Sequence, residues 1–204
     1  MTPVRGRWLR RGLAVPLAAL ALAGCGIRST EVPTDFGPAP SRAPCELSAP
    51  DLSAQSAGGI AVQVYLLCSS QLVTVDRTVE LPKGATTAGD RVQVAQALLG
   101  ELEQEPSTPE KQAGYTTDVR GGMTVTGPRA GDPDDALRLG IPPEDLSAFA
   151  LAQIVCTLAN SAAAENGTVT LGGPNTEPLR RYDCPPELRS RPGTTEPPST
   201  VVTG

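Results

Sequence analysis

Histidine is absent from the 204 residues of this sequence, and lysine occurs only twice. Without histidine, a Ser-His-Asp triad is excluded, and so are zinc sites that combine cysteine with histidine. A Ser-Lys dyad would depend on Lys83 or Lys111, which both lie in segments with the composition of loops. Aromatic residues make up only 3% of the chain, although sugar and small-molecule pockets are commonly lined by aromatic rings. We therefore predict no catalytic residues, no metal, no cofactor and no enzymatic activity.

The start of the chain lacks an apolar run of the roughly 20 residues that a transmembrane helix requires. A shorter apolar stretch, residues 13–22, follows four arginines, and no acidic residue precedes it, which is typical of a secretory signal peptide. The letters LAGC, which end at Cys25, resemble the bacterial lipobox, in which the cysteine receives a diacylglyceryl group and becomes the mature N-terminus. We predict that residues 1–24 are removed and that Cys25 is lipidated. The alternative is an ordinary signal peptide with Cys25 in a disulfide, and Arg10 and Arg11 leave the choice between Sec and twin-arginine export open.

The charge of the chain is negative, and cleavage of the signal would make it more so. Residues 1–24 carry four of the 17 basic residues and none of the 22 acidic ones, so the net charge changes from −5 to −9. An anionic chain repels nucleic acid, which we exclude as a ligand. The strong excess of arginine over lysine, with much alanine, glycine and proline, suggests a GC-rich and actinobacterial genome.

Four further cysteines, Cys45, Cys68, Cys156 and Cys184, form an even set in a chain that is predicted to be exported. In an oxidising compartment such a set predicts two disulfides, and no C-x-x-C spacing points to a metal instead. Three pairings are possible. We favour Cys45–Cys184, because both lie beside prolines at the edges of the domain, which leaves Cys68–Cys156.

Composition divides the mature chain into three parts. Residues 25–55 are rich in proline and predict a lipid anchor followed by a semi-stiff spacer. Residues 56–184 are long enough for one small domain with one core. Residues 185–204 are again rich in proline and polar residues, and we predict a disordered tail.

The hydrophobic pattern inside the domain predicts an α+β fold. Alternating apolar residues predict strands, and apolar residues at spacings of three and four predict helices. The resulting order is β-β-α-β-β-α-β-β, with both helices packed on one face of a small mixed sheet. The predicted helices are residues 89–105 and 146–167, and the predicted strands are 59–67, 71–80, 122–127, 135–142, 168–173 and 178–184.

The second predicted helix is apolar around much of its circumference. Besides its main stripe, Phe149, Ala152, Cys156 and Ala163 occupy a second face. One interpretation is a deeply buried helix with a disulfide on its far side. The other is that Phe149, Ala152 and Ala163 form an exposed apolar face that binds a partner.

The loop GDPDD contains the densest group of carboxylates in the sequence, Asp132, Asp134 and Asp135. Calcium binding needs six to eight oxygen ligands, and this loop lacks the EF-hand spacing and its closing glutamate. We therefore interpret it as a solvated acidic turn.

Three segments together resemble the GerMN domain, the sporulation and spore-germination domain. That family often has a strand of the form V-x-V-Y followed by an apolar residue, a helix that ends in ALLG, and a second helix with QIV-x-TL. Cys156 stands where the family commonly has tyrosine, and Cys68 ends a strand where cysteine is unusual, as a lineage-specific disulfide between them would produce. The matching positions here are Val62, Val64, Tyr65, Leu66, Ala97, Leu98, Leu99, Gly100, Gln153, Ile154, Val155, Thr157 and Leu158.

The resemblance implies a non-catalytic module that works by packing against other proteins in envelope or sporulation-related assembly. With the predicted anchor, the protein would lie on the extracytoplasmic face of the cell membrane and bind another envelope protein. The alternative is a lipoprotein that binds a solute or a cell-wall glycan.

Overall fold

The computed structural model describes residues 45–47, 59–80, 88–164, 166–194 and 196–202. The chain divides into two units, residues 1–39 and 40–204, and every described residue belongs to the second. The predicted signal peptide, the lipidation site at Cys25 and most of the spacer therefore lie outside the described residues. Among the described helices, none has both the length and the apolar character needed to cross a bilayer.

The described residues form an α+β structure, as predicted from the hydrophobic pattern. Two long helices and two short ones accompany eight strands, and a turn of 3-10 helix covers Pro143–Asp145. The helices are α1 (Ala88–Glu103), α2 (Thr108–Ala113), α3 (Ala148–Ala159) and α4 (Pro186–Ser190). The strands are β1 (Ile60–Cys68), β2 (Gln71–Val79), β3 (Tyr115–Thr116), β4 (Val125–Thr126), β5 (Ala136–Leu139), β6 (Thr168–Gly172), β7 (Arg180–Asp183) and β8 (Ser199–Val201).

The strands form two sheets rather than the one sheet that we expected. One sheet has the order β2-β1-β3, and the other has the order β4-β5-β6-β7-β8 with a parallel β5–β6 pair. Ser69 and Ser70 both adopt left-handed backbone angles, with φ of 50° and 62°, so a tight two-residue turn joins β1 to β2. Along the other edge of β1, α3 contacts the strand and β3 pairs only with its last two residues. The first sheet therefore stays separate because a helix lies where a further strand would be needed.

Helix α3 is the centre of the core, and every residue from Ala150 to Ala159 is buried. Ser147 caps its first turn and accepts a hydrogen bond from the Ala150 N–H at 3.1 Å. The helix ends at Asn160, well before the predicted end at residue 167. The Asn160 side chain donates to the Cys156 carbonyl and Ser161 donates to the Leu158 carbonyl, and such side-chain bonds replace further helical ones.

The structure contradicts the disorder that the sequence predicts for the C-terminal segment, residues 185–204. The described part of this segment contains α4 and β8, and β8 extends the second sheet by pairing with β7. Leu188 of α4 is fully buried. Leu188, Val201 and Val202 are too few and too widely spaced to give a periodic pattern, so this order depends on tertiary contacts that composition does not reveal.

Candidate functional site

Two disulfides join the four described cysteines, but their pairing differs from the one we favoured. The pairs are Cys45–Cys68, with Cα atoms 5.7 Å apart, and Cys156–Cys184, with Cα atoms 5.0 Å apart. The favoured pairing assumed that cysteines at the two domain edges would meet. Instead, each edge cysteine bonds to the nearest core element, Cys45 to the end of β1 and Cys184 to α3. Two disulfides indicate an extracytoplasmic location.

The first disulfide joins Cys45, in the predicted spacer, to the end of β1. The Cys45 N–H donates to the Ala113 carbonyl at 2.9 Å, and the Tyr115 hydroxyl donates to the Cys45 carbonyl at 2.8 Å. Ser69 Oγ of the β1–β2 turn lies 3.5 Å from Cys45 Sγ. Cys45 therefore lies beside this turn.

The structure does not present Phe149, Ala152 and Ala163 as an exposed face. Ala152 and Ala163 are buried, with 0% and 1% exposure, and Phe149 is half-buried. A Cβ atom on Gly193 would overlap Phe149 Cζ, so the C-terminal segment packs directly on this ring. The partner-face expectation is wrong for the two alanines, because the chain itself covers that side of α3. The other interpretation, a buried helix with a disulfide, agrees with the structure.

Two buried polar side chains of α3 bind the free edge of β1. Thr157 Oγ1 accepts from the Tyr65 N–H at 3.0 Å, and Gln153 Nε2 donates to the Tyr65 carbonyl at 3.0 Å. Gln153 Oε1 also accepts from the Asp118 N–H at 2.8 Å. Both side chains are 0% exposed. Gln153 and Thr157 thus provide hydrogen-bond partners for the backbone N–H and C=O groups of Tyr65, which a neighbouring strand would otherwise pair.

The acidic loop is neither the solvated turn nor the calcium site that we considered, because its first carboxylate is ion-paired. Asp132 accepts two hydrogen bonds from buried Arg138, at 2.7 and 2.8 Å. These bonds lower the pKa of Asp132 to about 2. Asp135 accepts from Thr170 Oγ1 at 3.0 Å, whereas Asp134 is exposed. Within the described ranges, no group of three or more cysteine and carboxylate side chains is placed to hold a metal ion.

A second ion pair joins β2 to α2. Arg77 donates to Glu110, whose side chain is 0% exposed, with Nη2–Oε2 at 2.9 Å. Burial opposes ionisation of Glu110, but hydrogen bonds from Arg77 and from the Ser107 N–H outweigh it and keep the pKa of Glu110 below its usual value. The same Ser107–Glu110 contact is the capping box of α2. The carboxylates of Asp132, Asp135 and Glu110 are therefore engaged in structural contacts. The remaining candidates for a functional site are depressions on the surface.

A surface depression lies between the hairpin of β1 and β2 and the C-terminal segment. It has two compartments, of about 360 and 310 Å³, which share Gln71 and Ser190. We call the whole depression the β2 groove. Its lining residues are Tyr65, Ser69, Ser70, Gln71, Leu72, Val73, Thr74, Phe149, Pro186, Arg189, Ser190, Arg191, Gly193 and Thr194.

The charge of the β2 groove is opposite to that of the chain. Arg189 lines one compartment and Arg191 the other, and the described lining includes no aspartate or glutamate. In the part of the chain that the structure describes, neither arginine takes part in an ion pair. The β2 groove therefore favours a ligand with negative charge.

One wall of the β2 groove is an open strand edge, because β2 is the outer strand of its sheet. Tyr65 and Thr74 lie opposite each other, and the amide group of Tyr65 points away from β2 towards α3. Residues opposite each other in an antiparallel pair point their backbone groups either both inward or both outward. The N–H and C=O groups of Thr74, and of Leu72 two residues before it, are therefore directed to the open edge.

A smaller hollow of about 170 Å³ lies at the start of α3. Met123, Leu146 and Ala150 form its apolar lining, and Ile141 at its rim is 40% exposed. Ser147 donates to Asp118 at the opposite side, and Arg120 and Asp145 also line the hollow. The hollow has the size of one aliphatic side chain, and the β2 groove is the larger candidate.

Comparison with known proteins gives one structural likeness. No protein-family model matches the chain, and no curated protein matches it either. The chain is similar to the structure entitled "Tandem GerMN domains of the sporulation protein GerM from Bacillus subtilis", with 18% sequence identity and a TM-score of 0.38. The match covers 56% of this chain and 39% of that chain, so this chain spans less than half the length of the protein it resembles. The likeness is to the domain that the sequence motifs suggested.

Proposed function

We propose that this chain is a non-catalytic protein–protein interaction module that is held on the extracytoplasmic face of the membrane by lipid on Cys25. The observation that carries the proposal is the β2 groove, in which an open strand edge lies beside a helix. An exposed edge presents unpaired N–H and C=O groups, which makes it a surface for pairing with another chain. The partner would be another envelope protein, in envelope or sporulation-related assembly.

The ionisable groups support a binding role over a catalytic one. Asp132 and Glu110 have lowered pKa values because each is held by an arginine, so both are ionised acceptors in fixed contacts. A carboxyl group that acts as a general acid or base near neutral pH would need a raised pKa. The anchor is supported by the lipobox at Cys25.

The proposal is tested by site-specific cross-linking in the native cells. A photo-reactive amino acid replaces Thr74, which is exposed in the β2 groove, and in a matched variant it replaces Asp134, which is exposed in the acidic loop. We expect one envelope protein to be captured at position 74 and not at position 134. No capture at position 74, or the same proteins at both positions, would contradict the interaction role.

A second candidate is a binding protein for a solute or a cell-wall glycan. One observation favours it: the rings of Tyr65 and Phe149 line the two compartments of the β2 groove. Aromatic rings are common in small-molecule sites. The protein would be titrated with soluble glycan fragments while the NMR signals of Gln71 and Ser190 are monitored. Shifts of these signals would detect binding at the groove.

A further inference from the structure

The β2 groove has features that define the class of partner, provided that the proposed interaction role holds. Its strand wall offers Leu72 and Thr74, whose backbone groups point outward, and these are one strand period apart. Within the described chain no other strand pairs with β2 at this edge. The outward N–H and C=O groups of Leu72 and Thr74 therefore have the spacing at which a strand from another chain would pair with them.

The opposite wall selects for charge. Helix α4 and the residues after it place Arg189 and Arg191 along the groove, one in each compartment. An extended peptide that lay against Leu72 and Thr74 would pass both positions. Acidic side chains on such a peptide would meet arginines that have no carboxylate partner in the described chain, whereas basic side chains would be repelled.

The floor of the groove is suited to alternating side chains. Tyr65 and Leu72 lie in the first compartment, and Phe149 lies in the second. In an added strand, alternate side chains point to opposite faces. One set would reach these apolar surfaces while the other faced the arginines or the solvent.

We propose that the β2 groove binds an extended acidic segment of a partner protein, which adds as a strand to the edge of β2. Main-chain hydrogen bonds to Leu72 and Thr74 provide affinity, and Arg189 and Arg191 provide the preference for acidic sequences. This mode of recognition is β-augmentation, in which backbone bonding is combined with side-chain pockets.

The test uses three synthetic peptides with the full chain in detergent micelles. The first alternates valine with glutamate, the second alternates valine with lysine, and the third is the glutamate peptide with N-methyl groups on alternate amides. Binding is followed by fluorescence anisotropy, and amide hydrogen exchange is followed by NMR. We expect the glutamate peptide to bind at least about tenfold more tightly than either control. We expect its binding to slow exchange of the Leu72 and Thr74 amides.

Two variants separate the contribution of the arginines to binding from the contribution of the open edge of β2. Arg189→Glu, which leaves Arg191 opposed by one negative charge, should remove most of the preference for the glutamate peptide over the lysine peptide, whereas Arg120→Glu, at an exposed arginine outside the groove, should not. Thr74→Pro removes one outward N–H without removing a ladder bond, since proline is accepted on edge strands, and should weaken binding of the glutamate peptide about tenfold. Far-UV circular dichroism verifies that each variant is folded.

Three outcomes would overturn the inference. These are no binding of the glutamate peptide, equal binding of all three peptides, and protection of amides outside β2 only. If cross-linking at Thr74 still captures an envelope protein, the interaction role stands and only this mode of recognition fails. If cross-linking captures nothing, the interaction role itself fails.

Discussion

The contacts between α3 and Tyr65 predict a large loss of stability from a substitution that removes little volume. Gln153 is fully buried and bonds to the Tyr65 carbonyl and to the Asp118 N–H. In Gln153→Leu both backbone groups lose their partner and remain away from water. Each buried unsatisfied group costs about 1–3 kcal/mol, so we expect the free energy of unfolding to fall by about 2–6 kcal/mol.

A second substitution isolates the other bond to the same residue. Thr157→Val keeps the shape of the side chain but removes the oxygen that accepts from the Tyr65 N–H. We expect a loss of about 1–2 kcal/mol, because only one buried donor is left unsatisfied. The exchange of the Tyr65 amide hydrogen should also become faster, and this readout reports the bond itself.

The assay is urea unfolding of the full chain with its disulfides intact, and the slope with denaturant serves as a check that the unfolding reaction is unchanged. Ile154→Val is the matched control, since Ile154 is a fully buried neighbour on the same helix without polar contacts. Removing one methylene group there should cost about 1 kcal/mol. If Gln153→Leu costs no more than this control, the hydrogen bonds to Tyr65 are not what holds β1 to α3.

Five further predictions follow, four from contacts in the structure and one from the lipobox at Cys25. Asp132 has a folded-state pKa of about 2, below its usual value of 3.8, so its stabilising effect is present above about pH 4 and should be lost as the pH falls towards 2. Asp132→Asn should cost about 2–4 kcal/mol in urea unfolding near pH 7, since it leaves buried Arg138 without its carboxylate, and an unchanged midpoint would contradict the ion pair. The disulfides close loops of 23 and 28 residues and should each contribute about 3 kcal/mol, and thiol titration under denaturing, non-reducing conditions should find the four domain cysteines blocked. Gly193→Ala should destabilise the chain by about 1–3 kcal/mol through its overlap with Phe149, measured as a lower melting temperature. Cys25→Ala should release the protein from membranes or leave its signal uncut, and a variant that is membrane-bound and correctly processed would exclude the lipoprotein assignment.

The sequence predicts local elements well where one face of an element is buried. The expected strand at 59–67 is found at Ile60–Cys68, and the expected helix at 89–105 is found at Ala88–Glu103. These boundaries follow from periodicity, which depends only on neighbours in the chain. Helix α2 was missed because its six residues are too few for a periodic pattern, although Ser107 and Glu110 form a capping box that could have revealed it.

The candidate site was harder to predict, because it depends on contacts between distant segments. Arg189 and Arg191 lie in a segment whose composition indicates disorder, and tertiary contacts such as the burial of Leu188 and the Cys156–Cys184 bond place them beside β2. The buried polar residues of α3 did leave a signal. Gln153 and Thr157 interrupt an apolar helix one turn apart, which places them on one face, and buried polar groups need partners.

The two disulfides hold the two walls of the β2 groove. Cys68 precedes the turn that leads into β2, and its bond to Cys45 fixes that end of the hairpin beside the spacer. Cys184 lies two residues before α4, and its bond to Cys156 fixes the start of the opposite wall on α3. Because α3 also binds β1 through Gln153 and Thr157, both walls are positioned relative to the same helix. The width of the groove is therefore set by covalent and hydrogen-bonded contacts to the core, and it does not depend on the short C-terminal helix being stable by itself. A rigid groove loses less conformational entropy on binding an extended segment than a mobile one would, so the oxidised chain is the form that should bind most tightly.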